Sequence, residues 1–354
     1  MEGLIEGMDR LPHLFDTGWL QLYIEKLNGV TFQLSRNKIG LNKKLCLKQK
    51  NMKKQHLYPK NPPEMLPSYV CYADILGFSQ VSKEALNANK GNLFLSKLRK
   101  ALSKAYTRLR NNAKGLGKDK FYSVKVFTDN IVVGYPISLE DFRAGEAELC
   151  DIFSTFSEFQ LSLALEGFLL RGSIAFGKHY MDNDIVFGDA LLEAVAQDKQ
   201  GGAPCISLAR SAVKLLRHHL GSYGETNWTP QHQDLLKDAD GIIFLNYLEE
   251  AFVAFPDGGI FFEYIEGHRD IIVAGLKKFR GNPGVRSKYE WAARYHNFVC
   301  KEFAETHQVP SNPDADEMYA YAAEEAQDLL KYLVDIDSLS TLPSRIMFEP
   351  KRIS

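Results

Sequence analysis

The chain has 354 residues, 45% of them apolar and 25% charged, with a formal net charge of -1. That length supports one large domain or two ordinary ones around a substantial core, and the balance excludes a global charge bias toward nucleic acid or membrane. Five scattered cysteines (Cys46, Cys71, Cys150, Cys205, Cys300), odd in number and without CxxC or Cys/His spacing, argue against a disulfide framework and structural zinc.

No apolar run approaches the roughly 20 residues of a membrane helix, and the opening MEGLIEGMDR lacks the basic start and apolar stretch of a signal peptide. A cytoplasmic protein with no nucleic-acid or membrane partner is expected. Residues 1–66 differ from the rest: nine Lys/Arg and no acid lie between Arg36 and Lys60, and Pro59, Pro62, Pro63 and Pro67 close the stretch. Without aromatic interleaving or an amphipathic period, this reads as a solvated, partly ordered extension packed on the domain rather than a basic arm for nucleic acid or anionic lipid.

Tyr69–Leu76 (YVCYADIL) is a short apolar run ending at Gly77, the pattern of a buried strand. Asn92–Asn112 carries Leu95, Leu98, Leu102, Ala105 and Leu109 at helical spacing and closes at the turn-rich NNAKGLGKDK. Tyr122–Tyr135 (YSVKVFTDNIVVGY) predicts two strands joined at Asp129-Asn130 in a tight hairpin. A helical region over Leu139–Leu165 follows, then a strand pair over Gly167–Tyr180 and Asp184–Phe187. Helix, strand and helix run on through Leu220, with Pro204–Leu208 as the strand.

The order β-α-β-β-α-β predicts an α+β fold with a ferredoxin-like, split-βαβ core built on an antiparallel sheet. Beyond about residue 225 the pattern turns mainly helical. Strand-like Gly241–Tyr247 precedes helices around 265–280, 285–306 and 316–335. Three regions are therefore expected: an extension over 1–66, a catalytic core over 67–222 and a mainly helical C-terminal extension over 223–354 packed on that core.

Two aspartates stand out by position. Asp74 lies in an otherwise apolar strand, two residues past Tyr72 and just before the Gly77 turn; Asp129 sits at the tip of the neighbouring hairpin. Either alone could cap a turn. Together, on adjacent strands, they would form a hard-oxygen site for Mg²⁺ or Mn²⁺, since buried carboxylates are costly unless paired or bound to metal. Such a pair can hold two ions about 3.5–4 Å apart and support in-line phosphoryl displacement.

Tyr72-Ala73-Asp74-Ile75-Leu76-Gly77-Phe78 resembles the (F/Y)-x-D-I-x-G-F motif of class III nucleotidyl cyclases. Val126-Phe127-Thr128-Asp129-Asn130 resembles that family's second metal hairpin. Leu170–Gly177 (LRGSIAFG), followed by Phe187–Leu191 (FGDAL), resembles the segment ahead of its last core helix. The likeness covers about residues 69–212. With Tyr295-His296-Asn297, the wording is most similar to bacterial pyrimidine cyclases of Pycsar-type anti-phage defence.

The resemblance implies a homodimer that converts UTP, or else CTP, to a 3′,5′-cyclic monophosphate acting on a separate effector protein. It further implies two Mn²⁺ or Mg²⁺ ions held by Asp74, Asp129 and the backbone carbonyl of Ile75, with Phe78 and Phe127 at the substrate. The chain departs from purine cyclases on the last core helix, where Leu192 and Ala196 replace an Asn and an Arg that stabilise the transition state. Arg171, Lys178 and Lys199 are candidates for the missing positive charge, with Arg171 assigned to catalysis. Lys125, four residues before Asp129 and expected on the same strand and the same face as it, matches the base-reading lysine of adenylate cyclases and could instead be a solvent-facing strand lysine. His179, His218 and His219 are expected at the surface.

Two other classes fit parts of the pattern. A diguanylate-cyclase or polymerase-type enzyme needs an acidic pair in the hairpin, where Thr128-Asp129-Asn130 offers one carboxylate. A non-enzymatic cyclase-homology module fits the loss at Leu192 and Ala196.

Overall fold

The computed structural model describes residues 57–115, 122–127, 129–137, 145–199, 202–221, 231–238, 240–252, 259–308, 317–336 and 351–352. Strand β1 (Leu66–Ile75) is buried on both faces from Val70 to Ala73 apart from Tyr72, as a central strand requires. It ends in a turn at Gly77, whose φ of 72° suits a residue without a Cβ. Helix α1 (Phe78–Asn87) starts there, and α2 (Gly91–Gly115) follows. The hairpin β2 (Ser123–Phe127) and β3 (Asn130–Pro136) comes next, then α3 (Glu146–Leu165) and β4 (Leu170–Met181). Short β5 (Val186–Gly188) leads into α4 (Asp189–Lys199), β6 (Ile206–Leu208) and α5 (Arg210–Gly221).

The strands form a mostly antiparallel open sheet in the order β2-β3-β1-β4-β6, continued by β8 (Ile243–Leu245), β7 (Leu235–Lys237) and β9 (Lys351–Arg352), with β5 on β4. Among the described residues only β4 and β6 pair in parallel. The chain is thus a mixed helix-and-sheet protein. The one-turn α6 (Gln231–Asp234) precedes β7, and a 3-10 helix, Tyr247–Ala251, follows β8. Then come α7 (Phe262–Lys278), α8 (Pro283–Thr306) and α9 (Glu317–Asp328).

Helices cover the sheet on both faces. Tyr69, Cys71, Ala73 and Ile75 pack against Leu98 and Ala101 of α2 and Leu149, Ile152 and Phe153 of α3. On the other face, Val70, Val132 and Ala175 pack against Tyr58 and against Ala190 and Ala194 of α4. The far end of α3, through Leu161 and Ala164, packs into a separate core with Phe244, Tyr247, Tyr295 and Phe303. That core joins the region beyond residue 222 to the sheet. The four described cysteines, Cys71, Cys150, Cys205 and Cys300, are free. Among the described residues no helix is long and apolar enough to cross a membrane.

Residues 57–65, the described end of the extension, pack on the sheet: Tyr58 is buried and its hydroxyl donates to Ser68 Oγ at 3.1 Å. The rest of the basic stretch, 36–56, lies outside the described residues. Helix α1, strand β7 and strand β9 are additional elements. His179 and His219 are buried, not at the surface; His218 alone of the three is exposed. His179 lies on the inner side of β4, where Tyr58 covers it, and its Nδ1 is 2.9 Å from Tyr58 Oη. The Tyr295-His296-Asn297 motif is also internal. Tyr295 donates to Asn246 Oδ1 at 2.8 Å, His296 lies 3.0 Å from His268, and Asn297 exchanges hydrogen bonds with the backbone of Val334.

Candidate active site

The register of three strands creates the site. In β1, Asp74 stands opposite Asn130 of β3 on one side and Arg171 of β4 on the other. That register needs Gly172, because a Cβ there would lie 2.3 Å from the Tyr72 carbonyl oxygen and 2.9 Å from Ala73 Cα. Asp129 occupies the turn between β2 and β3, one residue before the first pair of the hairpin, Phe127–Asn130. Its backbone carbonyl accepts from Ile75 N at 3.2 Å, which locks the turn against the end of β1. The site thus gathers Asp74, Ile75, Asp129 and Arg171 at one end of the sheet.

A polar chain fixes the second carboxylate. Tyr72 donates from its hydroxyl to Asn130 Oδ1, and Asn130 Nδ2 donates to Asp129 Oδ1 at 3.1 Å. Arg171 is fixed from the opposite side. Its Nε donates to Asp198 Oδ1 at 2.8 Å and its Nη2 to Asp198 Oδ2 at 3.3 Å, while Nη2 also reaches Asp74 Oδ2 at 3.4 Å. Asp198 comes from α4 and is nearly buried, so its charge requires this forked partner. Asn130 belongs to the hairpin motif, but Asp198 carries no sequence signal beyond its residue type and acts only through its contact with Arg171.

Burial, reinforced by the charge and hydrogen bond of Asp129 and by Asp198, pushes the Asp74 carboxyl up to about 6, with Arg171 opposing. Two touching carboxylates at the end of a sheet are short of positive charge, the electrostatic demand a hard cation satisfies. Among the described residues no group of three or more His, Cys, Asp or Glu is arranged to hold a metal. Mg²⁺, however, is commonly bound through one or two carboxylates with waters and substrate phosphates. Asp74, Asp129 and backbone oxygen fit that limited ligand set.

The other expected residues divide. Phe78 opens α1 and packs on Phe94, with ring centroids 5.8 Å apart, while still lining a cleft beside the site. Lys125 and Phe127 lie on the edge strand β2, with Lys125 Nζ 5.8 Å from the Phe127 ring centroid. Asp129 is in the turn, so it does not share their strand. Lys178 stands opposite Pro67 on β4, seven residues from Arg171 and so about 23 Å along the strand. Lys199 is exposed at the end of α4, and Leu192 and Ala196 are exposed on that helix.

One further cation comes from α8, seven residues ahead of Tyr295. Lys288, in the second turn of α8, lines the cleft with Ile75, Gly77 and Phe78. Its charge is felt by Arg171, Asp74 and Asp198, and burial pulls its ammonium below the ordinary lysine range, Arg171 adding to that and the carboxylates opposing. Helix α1, which borders the same cleft, has no side-chain cap and no acid in its first turn. Neither protein-family models nor curated proteins provide a match to this chain.

Proposed function

We propose that the chain is a nucleotidyl cyclase that converts UTP, or else CTP, to a 3′,5′-cyclic monophosphate and pyrophosphate. The observation that carries the reading is the placement of Asp129, in the turn bonded to Ile75 N at 3.2 Å, beside Asp74 at the end of β1, where burial and the Asp129 charge raise the Asp74 carboxyl to about 6. The strand order β4-β1-β3-β2, with α2 and α3 on one face, supports a split-βαβ, ferredoxin-like core of the class III cyclase type. Bound at Asp74, Asp129 and the Ile75 carbonyl, two Mn²⁺ or Mg²⁺ ions would supply Lewis-acid activation of the 3′-hydroxyl and neutralise the departing pyrophosphate.

The protein's own task is positioning. Asn130, held by Tyr72, aims the Asp129 carboxylate, and Asp198 keeps the Arg171 guanidinium beside Asp74, where charge develops at the α-phosphate. Lys125 and Phe127 would meet the base, with Lys125 donating to uracil O4 or cytosine N3. The exposed Phe187 and Leu192, at 60% and 67%, suit cover by a second copy in a homodimer. On this reading the product serves a separate effector in antiviral defence.

Metal-dependent pyrophosphate release from each of the four nucleoside triphosphates, with chromatography of the products, tests the proposal. A cyclic pyrimidine product that disappears in Asp74→Ala and Asp129→Ala supports it. The exposed Leu192 and Ala196 favour a second reading, a non-catalytic nucleotide-binding module. Binding of nucleotide without pyrophosphate release would establish that reading instead.

A further inference from the structure

We propose that Lys288, supplied by the C-terminal helical extension, is a substrate-contacting residue that binds the triphosphate of the nucleotide at the Asp74–Asp129 site. The proposal rests on the cyclase reading for the identity of the substrate, and on the geometry of this cleft for the residue. Lys288 shares a cleft wall with Ile75, Gly77 and Phe78, the residues that follow Asp74. Asp74, Asp198 and Arg171 all lie within electrostatic reach of it.

Charge decides why this lysine is needed. Arg171, forked onto Asp198 and 3.4 Å from Asp74, is one cation shared among three carboxylates, Asp129 being the third, so a net of two negative charges is left unmatched. A triphosphate adds up to about four further negative charges, more than two divalent ions and those carboxylates leave balanced. On the last core helix, Leu192 and Ala196 stand where purine cyclases carry their Asn and Arg. Lys288 makes no ion pair or hydrogen bond to any described residue. An ammonium is a compact point charge with three donors and needs no planar partner, so it suits phosphate oxygens.

The position of Lys288 is built. Asn282 caps α8 by accepting from Val285 N at 3.2 Å, and Pro283 occupies the first turn. Arg286 is buried, donating to the Leu276 carbonyl at 3.1 Å and to Glu290 Oε1 at 2.9 Å. Tyr289 stacks on Phe279 with centroids 5.5 Å apart. Residues on both sides of Lys288 therefore pin the helix to the end of α7, and Lys288 is the one cation among the described residues that line the cleft. Holding an ammonium half-buried costs solvation that an anionic ligand restores.

The competing explanation is that Lys288 only balances Asp74 and Asp198. Calorimetric titration of the full chain, Lys288→Met and Lys288→Arg with inorganic tripolyphosphate and with UTP, in the presence of Mn²⁺, separates the two. Titration with Mn²⁺ alone and a thermal melt accompany it. Lys288→Met should weaken both polyphosphate ligands about ten- to a hundredfold, the value of a hydrogen bond to a charged group. Mn²⁺ affinity should persist, and Lys288→Arg should keep most of the affinity. Unchanged tripolyphosphate affinity in Lys288→Met overturns the proposal. So does a loss matched by equal losses in Mn²⁺ affinity and melting temperature, or a wild-type chain that does not bind tripolyphosphate. If wild type turns over no nucleotide while Lys288→Met still weakens tripolyphosphate, the phosphate contact stands and the cyclase reading fails.

Discussion

Asp74→Asn should stabilise the metal-free protein at pH 8 while abolishing turnover. The Asp74 carboxyl lies at about 6 against an ordinary 3.8, first because it is buried and then because Asp129 faces it. The folded chain therefore holds this proton more tightly than the unfolded chain does. The associated stability is fully present below pH 3.8 and is lost as pH rises through about 6. At about 1.4 kcal/mol for each pH unit the ceiling is about 3 kcal/mol. The side chain is 22% exposed, so solvent screening brings the expected gain to about 1–2 kcal/mol, or a few degrees in melting temperature. Denaturation of wild type and Asp74→Asn at pH 5 and pH 8, with chelator and then with Mn²⁺, reads the effect. The variant should gain at pH 8 and little at pH 5, and Mn²⁺ should raise the wild-type melting temperature alone. A variant less stable than wild type at pH 8 without metal, or an equal Mn²⁺ response in both, would refute the reasoning.

Asp129→Asn should return the Asp74 carboxyl toward the ordinary range, shifting the pH dependence of stability to lower pH while also weakening Mn²⁺ binding; melts across pH with and without Mn²⁺ check both. Gly172→Ala, which places a Cβ 2.3 Å from the Tyr72 carbonyl, should cost about 2–4 kcal/mol and be visible in chemical denaturation. Burial holds His179 and His296 neutral down to about 4 and His268 also well below its ordinary range. The stability tied to them is present above pH 6.5 and lost as pH falls through about 4, so stability should drop between pH 6.5 and 4, more steeply in Asp74→Asn. A flat pH profile in that variant excludes the assignment. Lys125→Ala should lower kcat/KM for the preferred pyrimidine about ten- to a hundredfold and leave the Mn²⁺-induced melting shift unchanged; an unaltered kcat/KM means the base is read elsewhere.

Much of the sheet is visible in the sequence because its signals are local. Alternation and the turn at Asp129 announce the hairpin, and an aspartate inside YVCYADIL marks the strand end where the site forms. The hairpin register differs by one residue, since Asn130 is the first paired residue of β3 and not part of the turn. Helix α1 has a weak start signal: it begins from a left-handed glycine without a capping side chain. The histidines of β4 and α5 are less legible for another reason. Lys178 is exposed, but successive side chains of β4 point to opposite faces, so His179 turns inward under Tyr58. Asp198 and Lys288 are beyond sequence reading altogether. An acid late in α4 and a lysine early in α8 acquire meaning only when the folded chain brings them to Arg171 and Asp74.

The C-terminal region bears on the site through two kinds of contact of unequal strength. Lys278 of α7 pairs with Glu84 of α1 at 3.1 Å, but both side chains are about half exposed, and such pairs contribute only about 0–1 kcal/mol. The apolar core shared by Leu161, Ala164 and Leu169 with Phe244, Tyr247, Tyr295, Val299 and Phe303 is of a different order. Burying one such side chain contributes about 1.5–3 kcal/mol. Packing therefore holds the extension in place, and its polar contacts orient what it carries. Leu169, at the edge of that core, accepts from Leu76 N at 2.9 Å through its backbone carbonyl, and Leu76 follows Ile75 at the site. The turn after Asp74 is thus tied on one side to Asp129 and on the other to the core that positions α8. A helical addition to the sheet is in this way part of the same rigid support, and it fixes Lys288 of α8 in the wall of the cleft beside Ile75 and Gly77.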